Sequence, residues 1–114
     1  MASTQDLRKF NEGFHLHVHA HAGTTSMDFG HVHEHPGVTG VRIDSPGSHY
    51  HRIWGATTYV DGHFHTYDGF TGPAILHPEG YHTHEVNLNT SFNDRHSHRI
   101  SGYVEPIREE RQPV

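Results

Sequence analysis

HYHRIWGATTYVDGHFHTYDGFTG, residues 49–72, carries two His-x-His pairs, His49/His51 and His63/His65, on either side of the turn signal Asp61-Gly62. A β-strand puts residues i and i+2 on one face, so each pair aims both imidazoles the same way. Ile53 and Tyr67 extend that parity two residues beyond the pairs. One face of each stretch therefore reads His, His, apolar, and the Asp-Gly between them is a hairpin signal.

Outward from this stretch the pattern recurs. His-x-His pairs also stand at His17/His19, His31/His33, His82/His84 and His96/His98, and the steps between first members are 14, 18, 14, 19 and 14. The unit is thus a double step of 32 or 33 residues, present in three copies. Alignment on His17, His49 and His82 brings Thr25, Thr57 and Thr90 into register, followed by Ser26, Thr58 and Ser91 and by the large apolar Met27, Tyr59 and Phe92. Alignment on His31, His63 and His96 brings Gly37, Gly69 and Gly102 into register, and the same strand parity in the third copy adds Val86 and Ile100 to the apolar face. The third copy lacks the Thr-Gly that closes the other two, as a terminal repeat often does. Further turns are expected at Asn93-Asp94, Pro46-Gly47 and Pro78-Glu79-Gly80, and no stretch has helical periodicity. The expected fold is all-β: short antiparallel strands in one His-x-His repeat domain over residues 14–104, between polar tails at 1–13 and 105–114. Internal pseudo-threefold symmetry would bring the copies around one axis.

Composition says what such a domain lacks. Only 32% of the 114 residues are hydrophobic and there is no cysteine, so neither a large apolar core nor disulfides are available. Metal or assembly remains as the source of stability. The chain has 16 histidines, spread along its length and so unlike a tag. With 8 Lys+Arg against 13 Asp+Glu there is no basic stripe for nucleic acid. No apolar run is long enough for a membrane span, and Met1 to Gly13 has no secretory apolar segment. The cytoplasm, or a cell-surface or virion location reached by another route, both stay open.

Neutral imidazole is a donor suited to transition metals. One pair supplies two nitrogens, so pairs must meet to complete a shell. In a threefold arrangement His17, His19, His49, His51, His82 and His84 converge on one ion and His31, His33, His63, His65, His96 and His98 on a second. Six nitrogens suit octahedral Fe(II), Ni(II) or Co(II) better than tetrahedral Zn(II). The alternative lets neighbouring pairs in one hairpin share a four-histidine zinc site, giving three ions per chain in place of two. Twelve buried imidazoles without metal would leave acceptors unsatisfied at about 1–3 kcal/mol each. Exposed pairs would instead make a low-affinity buffering or pH-sensitive surface. His15, His21 and His77 read as hydrogen-bonded or exposed side chains, whereas His35 shares the ligand parity. Asp61, Asp94, Glu34 and Glu85 are candidates to accept the second N–H of a coordinating ring, and Asp61 and Asp94 read equally as turn residues.

GSHYH and GHFH resemble part of a cupin metal motif, but Arg52-Ile53-Trp54-Gly55 follows the pair where a cupin needs a glutamate. A site saturated by histidine also leaves no position for substrate, and no catalytic triad or phosphate loop is visible, so no enzyme is expected. HVHEHPGVTG, HFHTYDGFTG and YHTHEVNLNTSFNDRHSHRISG, between about His31 and Gly102, resemble the YmaF family of short His-rich bacterial proteins, a likeness that supports the repeat and adds no activity. The pairs are also similar to those of the needle-shaped tips of phage long tail fibres, where three chains supply histidines to octahedral iron. That likeness implies a fibre or surface role and a possible homo-oligomer, a trimer included. The expected function is a metal-binding structural module, with an exchangeable metal-buffering or metal-delivery protein as the alternative.

Overall fold

The computed structural model describes residues 17–108, which form nine strands. They are β1 (Ala20–His21), β2 (Gly37–Val38), β3 (Arg42–Ser45), β4 (Ser48–Ala56), β5 (Thr66–Phe70), β6 (Ala74–Leu76), β7 (Tyr81–Asn89), β8 (Arg99–Tyr103) and β9 (Ile107–Arg108). The expected all-β class holds: among the described residues the only helical element is a 3-10 turn at Pro78–Gly80, and no helix is long and apolar enough to cross a membrane. All pairings are antiparallel. β1 pairs with β2, β4 lies between β3 and β5, and β7 lies between β6 and β8 with β9 joining its first residues. Ile107 and Arg108, within the segment read as a tail, thus bond to His82 and Tyr81.

Alternation along β4 explains its orientation. His49, His51 and Ile53 are buried while Arg52 and Trp54 are exposed, with the Arg52 guanidinium 4.5 Å over the Trp54 ring and paired to Asp68 at 2.8 Å. Ile53, Tyr67, Val86 and Ile100, the apolar residues expected inside, are all buried, and Val104 joins them with Leu88 against their edge. In the β4–β5 hairpin this core lies between the pairs, because Ile53 faces Gly69 and Gly55 faces Tyr67. His49 and His51 stand on one side of it, His63 and His65 on the other. The β7–β8 hairpin has the same order, with Val86 and Ile100 between His82/His84 and His96/His98.

Backbone hydrogen bonds tie the three sheets to one another in a closed circuit. Gly40 N–H donates to Arg52 O, Gly72 N–H to Glu85 O, and Glu105 N–H to Ala20 O. Near the other set of pairs Thr58 N–H donates to Glu34 O, Ser91 N–H to Thr66 O and Ser26 N–H to Arg99 O. The chain's last described turn therefore meets its first strand.

One turn falls elsewhere than its sequence suggested. The expected Asn93-Asp94 turn is centred one residue later, since Asn93 bridges His96 and the left-handed pair is Asp94 (φ 53°) and Arg95 (φ 69°). It matches Asp61-Gly62 (φ 53° and 83°) and an unforeseen turn at Phe29-Gly30 (φ 56° and 81°). Two successive positive φ values define the tight hairpin turn whose twist fits that of its strands. Hydrogen-bond geometry set the register there, overriding the Asn-Asp signal.

Candidate metal centre

The threonines aligned by the repeat hold the histidine backbones. Thr25, Thr57 and Thr90 each donate N–H to the carbonyl of His33, His65 and His98 at 2.8 Å. Their hydroxyl oxygens accept N–H from those same histidines at 3.1, 3.0 and 2.9 Å. Thr39 and Thr71 do the same for His19 and His51. In the third copy Val104 keeps the backbone bond to His84 O, and Thr83 caps the Val104 carbonyl.

These supports bring the twelve predicted histidines into two clusters. His17, His19, His49, His51, His82 and His84 each place one ring nitrogen within 4.8 Å of every other, and so do His31, His33, His63, His96 and His98. His65 stands with the second group, its Nε2 3.2 Å from Nε2 of His96. Pairs of one class have met, and pairs sharing a hairpin have not. The four-histidine hairpin arrangement is therefore absent.

The rings pack edge to face at centroid distances of 4.5–5.2 Å in the first cluster. Each ring abuts all the others except one. His17 stands opposite His84, His19 opposite His49, and His51 opposite His82. In the second cluster, at 4.8–5.1 Å, the opposed rings are His31 and His65, His33 and His96, and His63 and His98. Six points of which each has a single opposite form an octahedron. The first members of the pairs make one triangular face and the second members the other. Nε2 of His82 is 3.2 Å from Nε2 of His17, His19 and His49. An octahedron with that edge has a centre about 2.3 Å from each vertex, a bonding distance for a first-row divalent ion.

Proton bookkeeping makes the same point. Nδ1–H of each second member donates to a backbone carbonyl: His19 to Glu105, His51 to Gly40, His84 to Gly72, His33 to Thr58, His65 to Ser91 and His98 to Ser26, at 2.8–3.0 Å. A neutral imidazole has one N–H, so each Nε2 carries a lone pair aimed inward. Nε2 of His51, His84 and His98 is buried with no hydrogen-bond partner. This donor set fits a transition metal at each centre, which the Nε2 atoms would hold.

Burial disfavours the charged form of seven of the twelve rings. It lowers the pKa of His51 to about 3, and burial with the Arg42 charge nearby lowers that of His49 to about 3. His82 falls to about 4, again chiefly through burial. His19, His33, His65 and His84 are shifted the same way by the same cause.

Carboxylates gather at the second cluster. Asp61 lies 3.5 Å from His31 Nδ1 and Asp94 3.1 Å from His63 Nδ1, so both are turn residues and histidine partners at once. Asp28, not singled out from sequence, lies 3.2 Å from His98 Nδ1. It precedes the turn residue Phe29, whereas Asp61 and Asp94 occupy the turn itself, and this offset carries it to a different ring. Its alignment with Val60 and Asn93 concealed it. Glu34 and Glu85 join the structure through their backbones, and their carboxylates lie exposed. His21 and His35 are buried as a pair, with Nδ1 atoms 3.2 Å apart, whereas His77 is exposed. His15 lies outside the described residues.

Comparison with known proteins adds one match. Residues 15–104 match the YmaF family model, described as spore germination protein GerY/YamF. No curated protein and no solved structure matches the chain.

Proposed function

This chain belongs to the YmaF family, and we propose that it is a non-enzymatic, metal-stabilised structural module in which three copies of the repeat turn about one axis and enclose two six-histidine ions. The observation that carries this reading is the meeting of lone pairs. Nε2 of His33 is 3.2 Å from Nε2 of His63, while Nδ1 of His33 is occupied by Thr58 O and Nδ1 of His63 by Asp61 O. Neither Nε2 has a proton to share, so the contact is repulsive until a cation lies between them. The octahedral arrangement favours Fe(II), Ni(II) or Co(II) over Zn(II), which prefers four donors.

The role follows from saturation. Six protein donors leave no coordination position for substrate or water, so the ions act as core and not as reagents. Where a pocket of leucine and isoleucine would hold a larger domain together, metal-binding free energy becomes folding free energy. The family description names spore germination, and a module locked by ions buried beyond easy exchange suits a structure that must persist through dormancy.

The test is native mass spectrometry with elemental analysis on untagged protein purified without a metal column, followed by circular dichroism during chelation. Two tightly held ions per chain and loss of β-structure with chelator are expected. Weak, variable loading and a fold indifferent to chelator would favour a metal-buffering or delivery protein, and absence of bound metal would overturn the proposal.

A further inference from the structure

The repeat places Ile53 and Val86 at one core position and Tyr67 and Ile100 at another. The first copy has His21 and His35 there. Both are buried, at 3% and 6% exposure, and Nε2 of His21 is enclosed without a hydrogen-bond partner. An apolar side chain would avoid that cost, about 1–3 kcal/mol for an unsatisfied buried polar atom. Local choices that weaken the fold without evident return mark functional positions.

The pair differs from the twelve clustered rings in which nitrogens face each other. There Nε2 atoms converge, and Nδ1 of nine of the twelve rings bonds a backbone carbonyl. Here Nδ1 of His21 faces Nδ1 of His35 at 3.2 Å, with ring planes only 27° apart. Two donors at that separation subtend about 100° at an ion held at the usual Zn–N distance of about 2.0–2.1 Å, close to the tetrahedral angle. Gly37 and Gly23 make the room. A Cβ at Gly37 would come within 2.9 Å of His21 Nε2, and one at Gly23 within 3.1 Å of His35 Nε2. The Tyr67 ring closes one side, edge-on to both imidazoles at 6.0 and 6.1 Å. On another side the pair lines a cleft of about 260 Å3 bounded by Gly102 and Tyr103 of the neighbouring hairpin.

We propose that His21 and His35 form a third metal site, open to the cleft, which binds one divalent ion of zinc-like preference through their facing Nδ1 atoms. With only two imidazole donors, its remaining positions are filled by water or a small ligand from the cleft. This ion therefore exchanges readily, unlike the two enclosed by six histidines.

The repeat supplies a test that spares the fold. His21→Val combined with His35→Ile installs the residues the third copy already carries at 86 and 100. Zn(II) is titrated into full-length wild-type and variant proteins as purified, with ions per chain counted by native mass spectrometry and the order of release to a chelator recorded. The wild type is expected to hold one ion per chain more than the variant and to release it first. The same count in both proteins overturns the proposal, and leaves His21 and His35 as a hydrogen-bonded core pair, however many ions the six-histidine clusters retain. If the double variant does not fold, His35→Tyr, the residue found at 67, decides in the same way: loss of the extra ion supports the site and its retention overturns it.

Discussion

His33 and His63 meet Nε2 to Nε2 at 3.2 Å, although they belong to different copies of the repeat, and each has its other ring nitrogen turned to a backbone oxygen. Nitrogens arranged in this way cannot hydrogen-bond to one another. On the proposed reading the metal is a structural participant, and single ligands should be costly to remove. His33→Ala and His51→Ala are each expected to lower loading by one ion per chain and to destabilise the fold by more than about 3 kcal/mol, beyond ordinary large-to-small changes at a surface. His77→Ala, at an exposed position, should leave both unchanged. Thermal melts with metal analysis of the three variants test the contrast.

Acid should act through the same rings. His49 and His51 have pKa values of about 3 and His82 of about 4, well below the ordinary 6.5. The unfolded chain therefore binds protons that the folded chain refuses. Their contribution to stability is complete above about pH 6.5 and is lost as pH falls from there toward the folded values. Bound ions compete with protons in the same direction. Cooperative loss of β-structure and release of metal are expected between about pH 6 and 4. A protein keeping both at pH 4 contradicts this.

Much of the architecture was legible in sequence because strand parity is a local property. The spacing of His49, His51 and Ile53 fixes which side chains share a face, and burial of the same three residues follows from it. Which pairs would meet was less accessible, since both the hairpin and the cross-copy arrangements use all twelve histidines. The circuit of bonds from Gly40 to Arg52, Gly72 to Glu85 and Glu105 to Ala20 decides that, and backbone amides leave no mark in composition. Asp28 escaped notice because it stands one residue ahead of the turn position that Asp61 and Asp94 hold, where the first copy has Phe29. The threonine register was visible, but its purpose was not, because a hydroxyl bonded across eight residues is not a strand signal.

That purpose yields a second stability prediction. Thr57 Oγ1 accepts the His65 N–H at 3.0 Å and donates to Thr58 O at 3.1 Å. Thr57→Val preserves shape and removes both bonds, leaving a buried N–H without that acceptor. A loss of about 1–3 kcal/mol is expected, measured by denaturant unfolding of metal-loaded protein. Thr57→Ser should recover most of it, and a valine variant as stable as the wild type would remove the hydroxyl from the account.

Arg95 offers a change in the opposite direction. Its φ of 69° is in the left-handed region, where its counterparts in the other copies are Gly30 and Gly62. A non-glycine residue there costs roughly 1 kcal/mol. Arg95→Gly should therefore raise stability by about 0.5–1 kcal/mol, less the extra freedom that glycine gives the unfolded chain. Equilibrium unfolding decides the sign.

The two clusters differ in the charge around them, which bears on how each would hold an ion. Burial chiefly, with the Arg42 charge adding to it, lowers the pKa of His49, His82 and His84 in the first cluster. Asp28, Asp61 and Asp94 stand against rings of the second. A carboxylate at Nδ1 makes the opposite nitrogen a stronger donor and offsets cationic charge at the metal, whereas a nearby guanidinium opposes it. The second cluster should therefore load first and hold its ion more tightly. Asp94→Asn keeps the size of the side chain and removes the charge 3.1 Å from His63 Nδ1; it is expected to weaken that cluster by about 10–100-fold and leave the first unaltered. Competitive chelator titration of Ni(II)-loaded protein resolves two affinities. Equal weakening of both by Asp94→Asn, or of neither, would show that the acidic turns do not tune the ion.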